Sequence, residues 1–146
     1  MVDPPNAITS NAGWDTLNNR VFLTNIVSAF RKEGIRTSIF VDTNRVNIEN
    51  AALTGTDRVE LYTEPYATEF SKNAIEAIEP FINAAEIARN AGLAINAGHD
   101  LSLDNLRYFI QNIPWIEEVS IGHALISDAL YLGLENAIQI YKRQLM

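Results

Sequence analysis

A short apolar run that ends in glycine, histidine and aspartate constrains the fold of this chain more than any other stretch. Residues 93–97 are mostly apolar, lie between Gly92 and Gly98, and are followed by His99 and Asp100. A run of this length, with a helical pattern after it, is typical of a buried strand in a parallel sheet. Ligands and catalytic side chains collect at the C-terminal ends of such strands, so the pattern makes His99 the first candidate functional residue.

Three further strand patterns alternate with helical patterns along the chain. Strands rich in β-branched and aromatic side chains are predicted over residues 36–42, 58–63 and 118–121. Strands that alternate with helices in this way predict right-handed crossovers and a parallel sheet. Helices are predicted from Asp15, as a cap, to Gly34, over residues 45–53, over 71–91, from Ser102 or Asp104 to Pro114, and over 124–145 as one or two helices. Pro80 predicts either a kink within residues 71–91 or a junction of two helices.

The alternation predicts an α/β fold and, more narrowly, half of a (β/α)₈ barrel. Four strand–helix units preceded by a helix are half of such a barrel, and a complete barrel needs roughly 250 residues. The 146 residues, 47% of them hydrophobic, suffice for one globular domain with a real core. We therefore expect a single domain over residues 1–146. Its four strands either keep the curvature of a barrel or flatten into a doubly wound sheet.

Charge and composition exclude several classes of function. The net charge is −7, and no basic cluster is larger than the pair Lys142 and Arg143, which argues against binding to nucleic acid or to an anionic membrane. The sequence has no cysteine, so disulfides and thiolate metal sites are excluded. No signal-peptide pattern or membrane-spanning apolar run is present in the sequence. We expect a cytoplasmic protein that binds small molecules or other proteins.

Four blocks of the sequence resemble the pyridoxine 5′-phosphate synthase family, in the family's order and spacing. The blocks are residues 38–42, 59–63, 96–99 and 119–126. The resemblance implies the C-terminal half of a TIM barrel and a transferase of vitamin B6 biosynthesis. That enzyme condenses 1-deoxy-D-xylulose 5-phosphate with 3-amino-2-oxopropyl phosphate to pyridoxine 5′-phosphate, releasing inorganic phosphate and water. It implies phosphorylated small-molecule substrates, and neither a cofactor nor a metal is expected.

Two residues of these blocks match catalytic groups of the family. His99 matches its proton donor, and Glu60 matches a strand carboxylate that stabilises the transition state. Elimination of water and phosphate requires a proton shuttle near neutrality, and histidine has an unperturbed pKa of about 6.5. Successive side chains of a strand alternate between its faces, so Glu60 shares a face with Tyr62 and could point into the barrel mouth.

Five further residues match substrate-binding positions. Gly122 and His123 match a phosphate-binding pair, and a glycine that opens a helix offers backbone N–H groups to an anion. Thr9 or Ser10 matches a hydroxyl that contacts substrate. Asp100 occupies a substrate-binding position at which the family usually has glycine.

Structural interpretations of the same residues remain open. A histidine at the end of a strand is often a hydrogen-bonded structural residue, which is the first alternative for His99. Glu60 could form an ion pair with Arg58 or Arg36. Gly122 could mark only the passage from a strand to a helix.

The resemblance also implies that part of the family's active site has no counterpart in residues 1–146. The family's first strands carry a further carboxylate base, a second histidine base and arginine phosphate clamps. We therefore expect this chain to be inactive alone. A half-barrel exposes two strand edges, here residues 36–42 and 118–122, which predicts a homo-oligomer. The alternative function is a noncatalytic half-barrel that self-associates or binds a phosphorylated metabolite.

Overall fold

The computed structural model describes residues 12–146 as seven helices and four strands. In chain order these are α1 (Arg20–Lys32), β1 (Ser38–Val41), α2 (Arg45–Leu53), β2 (Arg58–Tyr62), α3 (Glu64–Phe70), α4 (Ala74–Asn90), β3 (Ala94–Gly98), α5 (Leu106–Asn112), β4 (Ile116–Ser120), α6 (His123–Leu132) and α7 (Leu134–Gln144). None of these helices is long and apolar enough to cross a membrane.

The four strands form one parallel sheet in the order β1-β2-β3-β4. Each strand therefore lies beside the strand that follows it in the chain, and one or two helices form each crossover. A doubly wound sheet reverses its order at a switch point, whereas a (β/α)₈ barrel keeps consecutive order throughout. The strand order confirms the predicted half-barrel and rejects the doubly wound alternative.

The first helix and the last strand depart from their predicted bounds. α1 begins at Arg20 and not at Asp15. The Asp15 carboxylate accepts hydrogen bonds from the backbone N–H of Asn18 (3.0 Å) and from its side-chain amide (2.6 Å), so Asp15 closes a turn that precedes the helix. β4 begins at Ile116, two residues before its predicted start, and ends at Ser120.

Two prolines lie inside helices. No helix is predicted from the sequence over residues 64–70, where α3 lies. Pro65 is in the first turn of α3, where its missing N–H would have no intrahelical partner. Pro80 lies within α4, which continues as a single helix through that residue. The Asn73 side chain caps α4 by accepting hydrogen bonds from the two amides at Ile75 and Glu76.

The outer face of the sheet is apolar and packs under the helices. Val59 and Leu61 of β2 are fully buried, as is Ala97 of β3. Above them, an aromatic cluster joins α3, α4 and α5 through Tyr66, Phe81 and Phe109, whose ring centroids lie 5.0–5.8 Å apart. The burial of these side chains contributes hydrophobic stabilisation to the fold.

The inner face of the sheet carries polar side chains. The register pairs Phe40 with Glu60, Glu60 with Asn96, and Asn96 with Glu118, which places these side chains in one row across the sheet. In a closed barrel this face points to the barrel axis. The buried polar groups of the row must therefore find hydrogen-bond partners on the same face of the sheet.

Arg58 supplies most of those partners. Its guanidinium, which is 6% exposed, bonds the Asn96 amide oxygen (2.9 Å) and lies 3.1 Å from a carboxylate oxygen of both Glu117 and Glu118. A register shift between Ile95 and Asn96 inserts one extra residue into β4, which is why two successive glutamates reach the same arginine. Glu118 also pairs with Arg36 (2.7 Å), so both arginines proposed as partners of Glu60 bind other glutamates.

We predict that Arg58→Met lowers the free energy of unfolding by about 1–3 kcal/mol, measured by urea denaturation. The substitution leaves the buried Asn96 amide oxygen without its donor, whereas the two glutamates are half exposed and can be rehydrated. The matched control is Arg45→Met, which removes an exposed pair with Glu49 and should cost about 0.5 kcal/mol or less. Equal losses in the two variants would contradict a structural role for the Arg58 cluster.

Candidate functional site

An open cleft of about 780 Å³ lies at the C-terminal ends of β2, β3 and β4. Its wall combines a carboxylate from β2, a histidine that follows β3, and the segment that joins β4 to α6. The lining residues are Glu60, His99, Ser120, Ile121, Gly122, His123, Ile126 and Ser127. The cleft therefore brings together Glu60, His99 and the adjacent pair Gly122 and His123, which come from three separate stretches of the sequence.

A tight turn directly after β3 holds His99. His99 adopts a left-handed backbone conformation with φ of 64°, and it is the one non-glycine residue in the described chain with positive φ. Its N–H donates to the Ser120 carbonyl (2.7 Å), and the Asp100 N–H reaches back to the Gly98 carbonyl (2.9 Å). The Thr63 hydroxyl also donates to the Gly98 carbonyl. These bonds offset the strain of the positive φ, which is a conformation that a histidine rarely adopts unaided.

The backbone of β4 closely abuts Gly98. A Cβ atom at position 98 would lie 2.3 Å from the Ser120 carbonyl oxygen, which is the oxygen that accepts the His99 N–H. Only glycine allows this approach of β3 to β4. The glycine that ends the apolar run is therefore required for the position of the histidine.

The His99 ring lies between a carboxylate and a second imidazole. Its Nδ1 is 3.0 Å from Asp100 Oδ2, and its ring centroid is 5.8 Å from that of His123, with the two planes at 72°. The His99 side chain is 38% exposed. His99 is thus fixed in orientation yet remains accessible from the cleft.

Glu60 is half-buried at the base of the cleft. Burial raises the pKa of its carboxyl group above the ordinary value; the Glu118 charge adds to this effect, while His99 opposes it. Such a group holds its proton more readily than an exposed glutamate. When it is ionised, its charge is available to stabilise a cation that develops in the cleft.

Gly122 and His123 begin α6. Gly122 is the N-cap residue, no side chain caps the helix there, and both residues are exposed. The first backbone N–H groups of a helix attract anions, because they have no intrahelical acceptor and lie at the positive end of the helix dipole. The end of the cleft nearest α6 is therefore suited to a phosphate group.

Three predicted site residues remain, namely Thr9, Ser10 and Asp100. Thr9 and Ser10 fall outside the described residues. Asp100 contacts His99 but does not line the cleft. Within residues 12–146, no group of three or more His, Asp, Glu or Cys side chains is placed to hold a metal ion.

Two hydroxyl residues at strand ends are among the site residues that were missed in the sequence. Ser120 lines the cleft, and Thr63 stabilises the turn at His99 through its hydrogen bond to the Gly98 carbonyl. Both are hydroxyl residues at or directly after the C-terminal end of a strand, a position that could have marked them as candidates.

We predict that Gly98→Ala lowers the free energy of unfolding by about 1–3 kcal/mol, because the new methyl group pushes β3 away from β4. Gly122→Ala is the matched control: no atom lies within 4 Å of the added Cβ, and φ at this position is −104°. Its unfolding energy should stay within about 0.5 kcal/mol of the unmodified chain. Urea denaturation measures both, and a Gly98→Ala variant as stable as Gly122→Ala would refute the close packing of the two strands.

Comparison with known proteins identifies the family. The family model described as "Pyridoxal phosphate biosynthesis protein PdxJ" matches residues 2–146. The chain is 60% identical over 140 residues to the pyridoxine 5′-phosphate synthase of Parabacteroides distasonis, which covers 96% of this chain and 59% of that protein. It is 62% identical over 143 residues to the synthase of the same name from Cytophaga hutchinsonii, which covers 98% of this chain and 60% of that protein. The chain thus spans about 60% of the length of the curated relatives it matches. It belongs to the PdxJ family of pyridoxal phosphate biosynthesis proteins.

Proposed function

We propose that the cleft is part of a pyridoxine 5′-phosphate synthase active site, a transferase site. The reaction is the condensation of 1-deoxy-D-xylulose 5-phosphate with 3-amino-2-oxopropyl phosphate, with release of inorganic phosphate and water. The observation that carries this proposal is that Glu60, His99, Gly122 and His123 line one cleft. The relatives named as synthases are longer than this chain. The proposal assigns the rest of the active site to the part of them that the chain does not span.

His99 and Glu60 have complementary roles in this proposal. His99 donates a proton to the oxygen that leaves during elimination, because an imidazole can hold and release a proton near neutral pH. Glu60 faces the positive charge that develops on nitrogen as the amine condenses with a carbonyl group. The half-buried setting of Glu60 strengthens that interaction, since solvent screens it less.

The amides at Gly122 and His123 bind a substrate phosphate at the start of α6. Thr9, Ser10 and Asp100 remain predicted substrate contacts. Both substrates carry phosphate charges and cannot readily cross a membrane, so we place the reaction in the cytoplasm. A chain of net charge −7 gives no reason to add nucleic acid or a membrane surface as a partner.

A chimera tests the function. Residues 2–146 replace the matching segment of the Parabacteroides distasonis synthase, and formation of pyridoxine 5′-phosphate from the two substrates is measured. The chimera should make product, and His99→Ala should lower its turnover by about 10²–10⁴-fold. The control is Asp104→Ala, an exposed carboxylate outside the cleft, which should leave turnover unchanged. The isolated chain should make no product.

A chimera that folds but makes no product would contradict the proposed function. Near-normal turnover of the His99→Ala chimera would contradict the role of that histidine. Circular dichroism of each variant separates loss of the fold from loss of chemistry.

We further propose that the isolated chain self-associates with a second copy. Self-association is also what the alternative function, a noncatalytic half-barrel, predicts. Large apolar side chains are exposed on α6 and at the start of α7: Leu130 (81%), Tyr131 (91%) and Leu134 (54%). Such a surface is unusual on a monomer. β4 also lies at an edge of the sheet, where backbone groups can pair with another chain, whereas at the opposite edge the Phe40 carbonyl of β1 already accepts the Trp14 N–H (2.8 Å).

We predict a dimer or a larger assembly of the isolated chain at micromolar concentrations, measured by light scattering coupled to size exclusion. Leu130→Glu should shift the population towards monomer, because it places a charge on the exposed apolar surface. The control Glu86→Lys changes charge on the exposed side of α4 and should leave the population unchanged. A well-folded monomer at all concentrations would contradict self-association.

A further inference from the structure

We propose that Asp100 is a positioning residue for His99. Its carboxylate accepts the hydrogen of His99 Nδ1 and leaves Nε2 as the nitrogen that serves the cleft. This inference rests on the proposed function, because it concerns the nitrogen through which His99 would exchange a proton. It also gives Asp100 a role other than direct contact with a substrate phosphate.

The contact between the two side chains follows from the turn after β3. Adjacent residues of an extended strand point their side chains to opposite faces, so neighbouring side chains rarely bond one another. At this position the left-handed backbone of His99, with φ of 64°, turns the chain. As a result Asp100 Oδ2 lies 3.0 Å from His99 Nδ1. The geometry is that of a hydrogen bond in which the nitrogen donates and the carboxylate accepts.

The turn also directs the Asp100 backbone away from the cleft. Its N–H donates to the Gly98 carbonyl (2.9 Å) and lies 3.4 Å from the Thr63 hydroxyl oxygen. The Asp100 side chain is 26% exposed, and it lies behind the histidine, since His99 lines the cleft and Asp100 does not. The backbone amide is thus already bonded within the protein, and the carboxylate is placed to act on the imidazole.

The bond fixes both the tautomer and the rotation of the ring. With the hydrogen on Nδ1, a neutral His99 presents the lone pair of Nε2 to the cleft and can accept a proton there. Once His99 is protonated, the Asp100 carboxylate stabilises the imidazolium, and Nε2 can return its proton to a leaving oxygen. Glu60 on β2 and His123 on α6 are the other titratable groups that line the cleft with His99. Of these neighbours, it is the Asp100 carboxylate that accepts the hydrogen of His99 Nδ1, at 3.0 Å.

The direct test is the tautomer of His99 in the full chain, read from two-bond ¹H–¹⁵N correlation spectra of ¹⁵N-labelled protein above the pH at which the ring is charged. His99 should carry its hydrogen on Nδ1, against the intrinsic preference of the free histidine side chain for Nε2. Asp100→Ala should shift the hydrogen to Nε2, and Asp100→Gly, the residue usual in the family, should do the same. Glu60→Gln is the matched acidic control and should leave the hydrogen on Nδ1. His123 is an internal reference in every spectrum.

Two results would overturn the inference: a hydrogen on Nε2 of His99 in the unmodified chain, or an unchanged tautomer in a folded Asp100 variant. The first result is measured on the unmodified chain, so it can overturn the inference even if the Asp100 variants fail to fold. A second readout uses the active chimera, in which Asp100→Ala should lower kcat by about 10- to 100-fold with little change in KM. A rise in KM alone would indicate a phosphate contact and contradict a positioning role. An inactive chimera with the expected tautomer would contradict the proposed function and leave the positioning role standing.

Discussion

The site depends on the way Arg58 ties three strands together on the inner face of the sheet. From β2 its guanidinium reaches Asn96 on β3 and both Glu117 and Glu118 on β4. A buried guanidinium is costly unless it is paired. Within the described residues, the two terminal nitrogens of Arg58 are bonded while Nε is not, so the strands must keep the register, and β4 the extra residue, that supply the bonds to those terminal nitrogens. The same register sets Gly98 opposite Ser120, and thereby the place where His99 turns out of the sheet.

The turn that follows β3 both joins β3 closely to β4 and holds the candidate catalytic residue His99 in position. Gly98 permits the close approach of β4, and the hydrogen bonds of Thr63 and Ser120 hold His99 in a conformation that histidine seldom adopts. A strained residue persists only when its surroundings over-determine its conformation, and such residues cluster at functional sites. The turn gives the imidazole one fixed orientation, with Nδ1 towards Asp100 and an exposed side towards the cleft.

Local patterns in the sequence predict the strands and the residues at their ends. They do not predict the interactions between strands. Apolar runs ending in polar residues located β3 and His99, because that pattern reflects burial and needs no knowledge of neighbours. The partners of Arg58 depend on register and on an inserted residue in β4, neither of which periodicity reveals. The contact of Asp100 with His99 depends on a positive φ that favours glycine, so sequence gave no reason to expect it. For α3 a signal was present, since a proline directly after a strand is also typical of a first helical turn.

A titration of the ¹⁵N-labelled chain with inorganic phosphate tests most directly whether these residues form one phosphate-binding cleft. The amide signals of Gly122 and His123 and the ring signals of His99 and His123 should shift together along a single saturation curve. Amides in the groove between α2 and α4, which includes Arg45 and Asn83, should not follow that curve. Saturable shifts confined to that groove, or no saturable shift in the cleft, would contradict a phosphate site at the start of α6.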